Sequence, residues 1–274
     1  MDSEEPVAFG KAIAEALERF AVDGFENPWA TAAYLDFDGA SARAYFELAG
    51  IDRALCHHYC RTRFNKLDIS VLSGRFRVGQ IKKMLDRYGL EAGFYELRPT
   101  RDAKICTMMA WPKGQAKEEL GFVNGYGCSG DITVAATSAA YECLRTAAAV
   151  YLGGARPERP LSTFNQPGNP WFHFWANQTA ASINYFRKYL MPLKDPGEVL
   201  PPESLSVKDV RIGRITTLDN AFPGIPLVVA QAVSEKFIKP QFGPIRMDPA
   251  TERRLLEFCG RRVVPEAQVP HFYG

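Results

Sequence analysis

The sequence lacks the features that mark several classes of protein. It has no excess of one charge, because 33 Lys and Arg residues stand against 31 Asp and Glu residues, and this balance argues against a nucleic-acid binder or a polybasic membrane binder. No stretch approaches the roughly 18 uninterrupted apolar residues of a transmembrane helix. The acidic residues Asp2, Glu4 and Glu5 stand where a signal peptide carries positive charge. We therefore expect no secretion, no membrane partner and no nucleic-acid partner.

Cysteine is also sparse. Six cysteines are scattered through apolar surroundings among 274 residues, whereas a secreted disulfide scaffold has cysteines at dense, regular spacing. A reducing compartment fits this usage best. We therefore expect a cytoplasmic protein.

What the chain does contain is enough apolar sequence for a substantial core, at 46% hydrophobic residues. Its length favours one large domain. Apolar periodicity predicts helices over residues 9–25, 38–60, 78–88, 133–152, 171–190 and 248–259. Runs of strand-forming residues predict strands over 67–72, 92–97, 104–111, 207–216 and 225–233. We expect an α+β fold of mixed sheets and Ala-rich helices, with residues 1–274 as a single domain and a possible flexible loop over 191–204.

An isolated glutamate recurs on the small or apolar face of three Ala-rich helices. Glu15 and Glu18 lie three residues apart on the first helix, so both carboxylates can reach one cation. Glu47 lies on the second helix, and Glu142 shares a face of the third with Arg145. Carboxylates that converge from separate helices suit Mg²⁺, and arginines suit phosphate. Each helix taken alone is more often a solvated face stabilised by charge pairs.

The order of these segments carries more information than any one of them. Residues 9–20 (FGKAIAEALERF) end in Glu-x-x-Glu-Arg, and two further glutamate helices follow at 41–59 and 125–151, the last after a Gly-x-Gly sequence. An aromatic segment with a histidine (169–175) and a strand with a leading proline (218–229) come later. This succession resembles the YcaO-like family of ATP-dependent peptide backbone-modifying proteins along nearly the whole chain.

The resemblance implies a function. Such proteins use ATP and Mg²⁺ to phosphorylate a backbone amide oxygen after a nucleophile has attacked the amide carbon, which gives an azoline from Cys, Ser or Thr, a thioamide or an amidine. It implies a ribosomally made precursor peptide as substrate, and a partner protein or an oligomeric assembly.

The resemblance also implies site residues. Glu15, Glu18 and Glu47 would be Mg²⁺ ligands, and Glu142 and Arg145 would be catalytic residues near the nucleotide phosphates. Arg19 would either hold a phosphate or pair with Glu15 across one helical turn.

Two departures from the family pattern lead to an alternative function. Gly50 and Ile51 stand where the pattern has another Glu-Arg pair, although Asp52 and Arg53 lie close by. The first glutamate helix comes almost at the start of the chain, where family members carry a preceding phosphate-binding segment. We therefore expect a member shortened at its N-terminal side, and the alternative function is a catalytically degenerate partner subunit that binds precursor peptide or supports another enzyme.

Three other motifs have competing interpretations. Cys56 to Cys60 has the spacing of a metal clip but more often represents buried thiols beside histidines at a helix end. Gly125 to Gly130 suggests a dinucleotide loop but is better interpreted as a helix-entry loop. A cysteine nucleophile, Cys106 or Cys128 with His173, is a generic alternative without local support.

Overall fold

The computed structural model describes residues 5–25, 29–68, 76–113, 123–152, 180–191, 201–240 and 245–264. Its helices are α1 (Glu5–Ala21), α2 (Phe37–Cys60), α3 (Phe76–Arg87), α4 (Ile132–Leu152), α5 (Ala180–Tyr185), α6 (Thr217–Ala221) and α7 (Pro249–Cys259). Its strands are β1 (Ala30–Tyr34), β2 (Asn65–Lys66), β3 (Leu90–Leu97), β4 (Lys104–Pro112), β5 (Val123–Ser129), β6 (Arg211–Ile215) and β7 (Val228–Val233). In the described part of the chain, no helix has both the length and the apolar character needed to cross a membrane.

The strands form two antiparallel sheets. Sheet A has the order β1-β7-β6, and sheet B has the order β2-β3-β4-β5. Successive side chains of a strand point to opposite faces. On β4, Cys106 and Met108 face one hydrophobic cluster while Ile105 and Met109 face another. Sheet B is therefore covered on both sides.

Helices cover the sheets in layers. The helix α2 lies between the sheets and packs against strands of both. On the far side of sheet B lie α3 and α4, and on the far side of sheet A lie α1 and α6. Because α2 packs against both sheets, both sheets position its buried residues.

Local sequence explains the limits of α2. Asp36 accepts a hydrogen bond from the Gly39 amide and caps the first turn. The helix ends at Cys60, because the next residue, Arg61, has a left-handed backbone with φ of 53°. Small residues on the buried faces, among them Ala44 and Ala49, let both sheets approach the helix closely.

The structure confirms the predicted α+β class, and most predicted helices and strands are present. Several boundaries differ. The helix predicted over 9–25 spans Glu5–Ala21, and the strand predicted over 225–233 begins at Val228. Residues 186–190 form a π-helical turn, and the strand predicted from 207 begins as a short 3₁₀ helix over Val207–Asp209. Residues 67 and 68 are not strand, and the rest of the strand predicted at 67–72 lies outside the described residues. Outside them too lie His173, residues 171–179 of the aromatic helix and most of the loop over 191–204.

Candidate functional site

A cavity of about 250 Å³ lies where α2, β5 and α4 meet. Its lining combines carboxylates with an apolar and aromatic wall: Phe46, Glu47, Gly50, Ile51, Tyr126, Gly127, Cys128 and Glu142. Two of the predicted site residues, Glu47 and Glu142, therefore face one space, although they stand on different helices.

The Gly-x-Gly sequence makes this meeting possible. Gly125 and Gly127 belong to the strand β5. The prediction of a helix-entry loop over residues 125–130 is therefore wrong for residues 125–129, which are strand. A Cβ atom at Gly127 would overlap the Ala135 carbonyl of α4, and one at Gly125 would overlap the Cys143 amide. The glycines are present because the strand lies directly on the backbone of α4.

Glu142 is held by the strand beside it. The Tyr126 backbone N–H donates a hydrogen bond of 2.7 Å to Glu142 Oε2. Among the described strands β5 lies at the edge of sheet B, and this carboxylate satisfies one of its backbone amides. Burial raises the pKa of Glu142, and the Tyr126 amide and the Arg145 guanidinium oppose the rise.

Glu47 lies among like charges. Desolvation, followed by the negative charges of Glu18 and Glu142, raises the pKa of Glu47 well above its ordinary value. The side chain is nevertheless exposed over much of its surface. Solvent weakens both desolvation and charge repulsion at an exposed group, and both of them act to raise this pKa.

The helix α1 brings two more carboxylates to the same region. Glu18 accepts a hydrogen bond of 3.0 Å from the Thr31 hydroxyl on β1, and burial raises its pKa. Glu15 pairs with Arg19 at 3.0 Å across one turn, as one of the two interpretations of Arg19 predicts, and with Arg145 of α4 at 3.6 Å. The second pair links α1 to α4 between two exposed side chains.

The donor set has the chemistry of a site for a hard cation. Four carboxylates from three helices gather here, and the pKa values of three of them are raised, mainly by burial and also by repulsion from neighbouring glutamates. Among the described residues, no three Asp, Glu, His or Cys side chains stand close enough together to hold a metal ion as they are placed. The residues therefore fit a cation by chemical type, and the ligand assignment stays a prediction.

Asp52 and Arg53, which follow the cavity-lining Gly50 and Ile51, are buried away from this cavity. Their side chains form a separate ionic network with Glu203 and Arg254. They therefore supply no replacement for the Glu-Arg pair that the family pattern has at positions 50 and 51. A Cβ at Gly50 would meet its nearest neighbour, Cys128, at 3.6 Å, so there is room for a side chain there.

The cysteine motifs are mostly structural. Cys56, His57 and Cys60 are buried, and the His57 ring accepts the Arg98 amide at 2.9 Å while its other nitrogen contacts the Thr62 carbonyl. Cys106 is buried in sheet B, where burial raises the pKa of its thiol. The helix-end interpretation of Cys56 to Cys60 agrees with this placement.

Sequence reasoning missed several residues that shape the site. Phe46 and Tyr126 form its aromatic wall, and Thr31 binds Glu18 from another strand. Cys128 lines the cavity, although burial raises the pKa of its thiol rather than activating it. Only the period-2 alternation of β5, in which Tyr126 and Cys128 face away from the glycines, could have indicated part of this wall.

No family model and no curated protein sequence matches this chain. Solved structures do. A heterocyclase in complex with substrate and cofactor matches with a TM-score of 0.53 and 17% identity over 88% of this chain. The chain has the heterocyclase fold. This result confirms, for the fold, the resemblance to YcaO-like proteins.

Two further structures support the heterocyclase fold. The heterocyclase TruD matches with a TM-score of 0.54 and 16% identity, over 89% of this chain and 33% of TruD. A chain of the E. coli microcin synthetase McbBCD complex with pro-MccB17 bound matches with a TM-score of 0.56 and 11% identity, over 77% of this chain and 55% of that one. The match covers only 32% of the length of the heterocyclase in complex with substrate and cofactor, so this chain spans about a third of that protein.

Proposed function

We propose that this protein takes part in the ATP- and Mg²⁺-dependent activation of a backbone amide in a ribosomally made precursor peptide, in the cytoplasm and together with a partner protein or further copies of itself. The product would be an azoline from Cys, Ser or Thr, a thioamide or an amidine. One observation carries the proposal: carboxylates of α2 and α4 line one cavity, and the carboxylates of α1 lie near enough to Glu47 to raise its pKa. The heterocyclase fold and the peptide-bound microcin synthetase complex support it.

Each charged residue would have a distinct role. Glu15, Glu18 and Glu47 would hold Mg²⁺, which when bound offsets negative charge on phosphate groups. Arg19 and Arg145 are already attracted to Glu15. When a nucleotide is bound, these two arginines would instead bind its phosphate oxygens, because a guanidinium binds phosphate through paired hydrogen bonds.

Glu142 would act beside the phosphates. The Tyr126 amide fixes one oxygen of Glu142 at the cavity wall. Its raised pKa makes it better able to carry a proton near neutral pH than an ordinary glutamate. We therefore propose that it moves a proton at the reacting amide while Arg145 offsets the charge of the phosphoryl group.

The test is calorimetric titration of the protein with Mg²⁺ and ATP. We expect the wild-type protein to bind, and Glu47→Gln to weaken binding by roughly tenfold or more, as loss of a metal-site residue does. The matched control is Glu252→Gln, an exposed glutamate on α7. Equal affinity of the two variants would remove Glu47 from the site.

Activity is tested by incubating the protein with precursor peptide, candidate partner proteins and Mg-ATP. We expect phosphate release and a change in peptide mass that matches the product, a loss of water for an azoline. The proposal fails if neither occurs with any partner.

A second function is favoured by the apolar part of the cavity. Gly50 and Ile51 line it, where the resemblance would place a glutamate and an arginine. A degenerate subunit that binds precursor peptide or supports a complete enzyme would have no need of those charges. Stable co-purification with another subunit, together with no heat of binding for Mg-ATP by the isolated chain, would favour this second function.

A further inference from the structure

Two thiols from distant parts of the chain meet at the junction of α2 and α7. Cys60 ends α2 and Cys259 ends α7. The sulfur of Cys60 lies 3.5 Å from the Leu255 carbonyl oxygen, and the sulfur of Cys259 lies 3.2 Å from the same oxygen. The neighbouring Cys259 thiol also contributes to the raised pKa of the Cys60 thiol. They are therefore neighbours in space.

The backbone around this pair is held in place from both sides. Arg261, just after α7, donates a hydrogen bond of 2.9 Å to the Cys60 carbonyl. The Cys259 thiol in turn lies 3.3 Å from the Arg261 carbonyl. The Cys60 thiol contacts the Leu255 carbonyl of α7, and the Arg261 side chain contacts the Cys60 carbonyl of α2, so contacts run in both directions between the two segments beside the sulfurs.

The two thiols differ in their access to solvent. Cys60 is 1% exposed, whereas Cys259 is only partly buried. Because Cys60 is buried, reagents in solution have little access to its thiol. An oxidant from solution therefore meets Cys259 first.

We propose that Cys60 and Cys259 form a redox-active dithiol, a site of reversible thiol oxidation whose reagents are small disulfides. The Cys259 thiolate attacks one sulfur of the disulfide, which forms a mixed disulfide and releases one small thiol. The Cys60 thiolate then attacks the Cys259 sulfur, which forms the Cys60–Cys259 bond and releases the second small thiol. Two cysteine thiols are oxidised and one disulfide is reduced to two thiols, with their two protons transferred to the products.

The site is independent of the proposed function. Oxidation ties α2 to α7 by a covalent bond, and α2 also carries Glu47. In a reducing compartment such a bond is transient, as it is in redox-sensing proteins.

The experiment is treatment of the full chain with an excess of oxidised glutathione, followed by alkylation, proteolysis and mass spectrometry without reductant. We expect the protein to lose two hydrogen atoms and to yield one cross-linked peptide pair that contains Cys60 and Cys259. Dithiothreitol should restore both thiols to full alkylation in the unfolded protein. The oxidised form should also have a raised Tm, because the bond closes a long loop.

The matched control is Cys128→Ser, since Cys128 is the other partly buried cysteine among the described residues. This variant should form the same bond, whereas Cys259→Ser should not lose two hydrogen atoms. Three results would overturn the proposal. One is a glutathione adduct that stays on Cys259 while the Cys60 thiol remains reduced, and another is a disulfide between Cys60 and Cys56. The third is full retention of the Cys60 and Cys259 thiols under conditions that oxidise Cys128.

Discussion

Asp52 is the residue on which the ionic network inside the molecule depends. Arg254 donates to both of its oxygens, at 3.0 and 2.8 Å, and the Ile238 amide donates to one of them at 2.8 Å. Burial alone would raise the pKa of Asp52, but the guanidiniums of Arg254 and Arg53 hold that pKa below its ordinary value. Asp52 therefore stays ionised and joins α2 to α7.

We predict that Asp52→Asn lowers the free energy of unfolding by about 3 kcal/mol or more, because it leaves the buried guanidiniums of Arg53 and Arg254 to share the single charge of Glu203. Urea unfolding at neutral pH measures the loss. The control is Asp219→Asn, which removes a similar two-bond pair with Arg214 from an exposed position, and it should cost less than about 1 kcal/mol. Equal losses in the two variants would contradict this account.

At the scale of one element, β5 can pack against α4 only because Gly125 and Gly127 have no side chains. Gly127→Ala should lower the free energy of unfolding by about 3 kcal/mol, because its methyl group would overlap the Ala135 carbonyl of α4 and the strand would have to move away. Thermal and urea unfolding check the value.

The control for this change is Gly213→Ala on β6, where no atom lies within 4 Å of the added carbon. Its unfolding free energy should change by less than about 1 kcal/mol, and a gain is possible because alanine is less flexible than glycine when unfolded. If Gly213→Ala were as harmful as Gly127→Ala, flexibility rather than close packing would explain both glycines.

This strand also shows what the sequence could and could not predict. The apolar periodicity of residues 9–25 and the alanine content of α4 are local, so they predicted helices that the structure contains. Glycine disfavours strands, so the Gly-x-Gly segment suggested a loop, and only its contact with α4 explains why it is a strand. Asp52 resembled a candidate site residue because its partner Arg254 is 202 positions away.

At the scale of the molecule, the crowded carboxylates should make stability depend on pH. The folded chain raises the pKa of Glu18, Glu47 and Glu142 from an ordinary value of 4.5. Each therefore binds its proton more tightly when folded. This contribution to stability is fully present below pH 4.5 and is lost as the pH rises through the raised values.

We predict that without divalent cations Glu47→Gln is more stable than the wild-type protein at about pH 8, and that its advantage shrinks toward about pH 5. Urea unfolding across this range measures the difference. The pKa of the buried His57 is lowered from 6.5 to about 3, so His57 reduces the stability of the folded protein as the pH falls. This effect is the same in both proteins and therefore cancels in the difference between them. An advantage that does not vary with pH would contradict the prediction.

The strand order of sheet A sets the sequence in which the molecule can assemble during synthesis. The strand β1 pairs with β7, whose last residue is Val233, whereas the strands of sheet B lie within residues 65–129. Because synthesis proceeds from the N-terminus, sheet B can form before the ribosome has made β7, the strand that pairs with β1. Glu15 and Glu18 on α1, which packs on β1, take their final places only after most of the chain has been made.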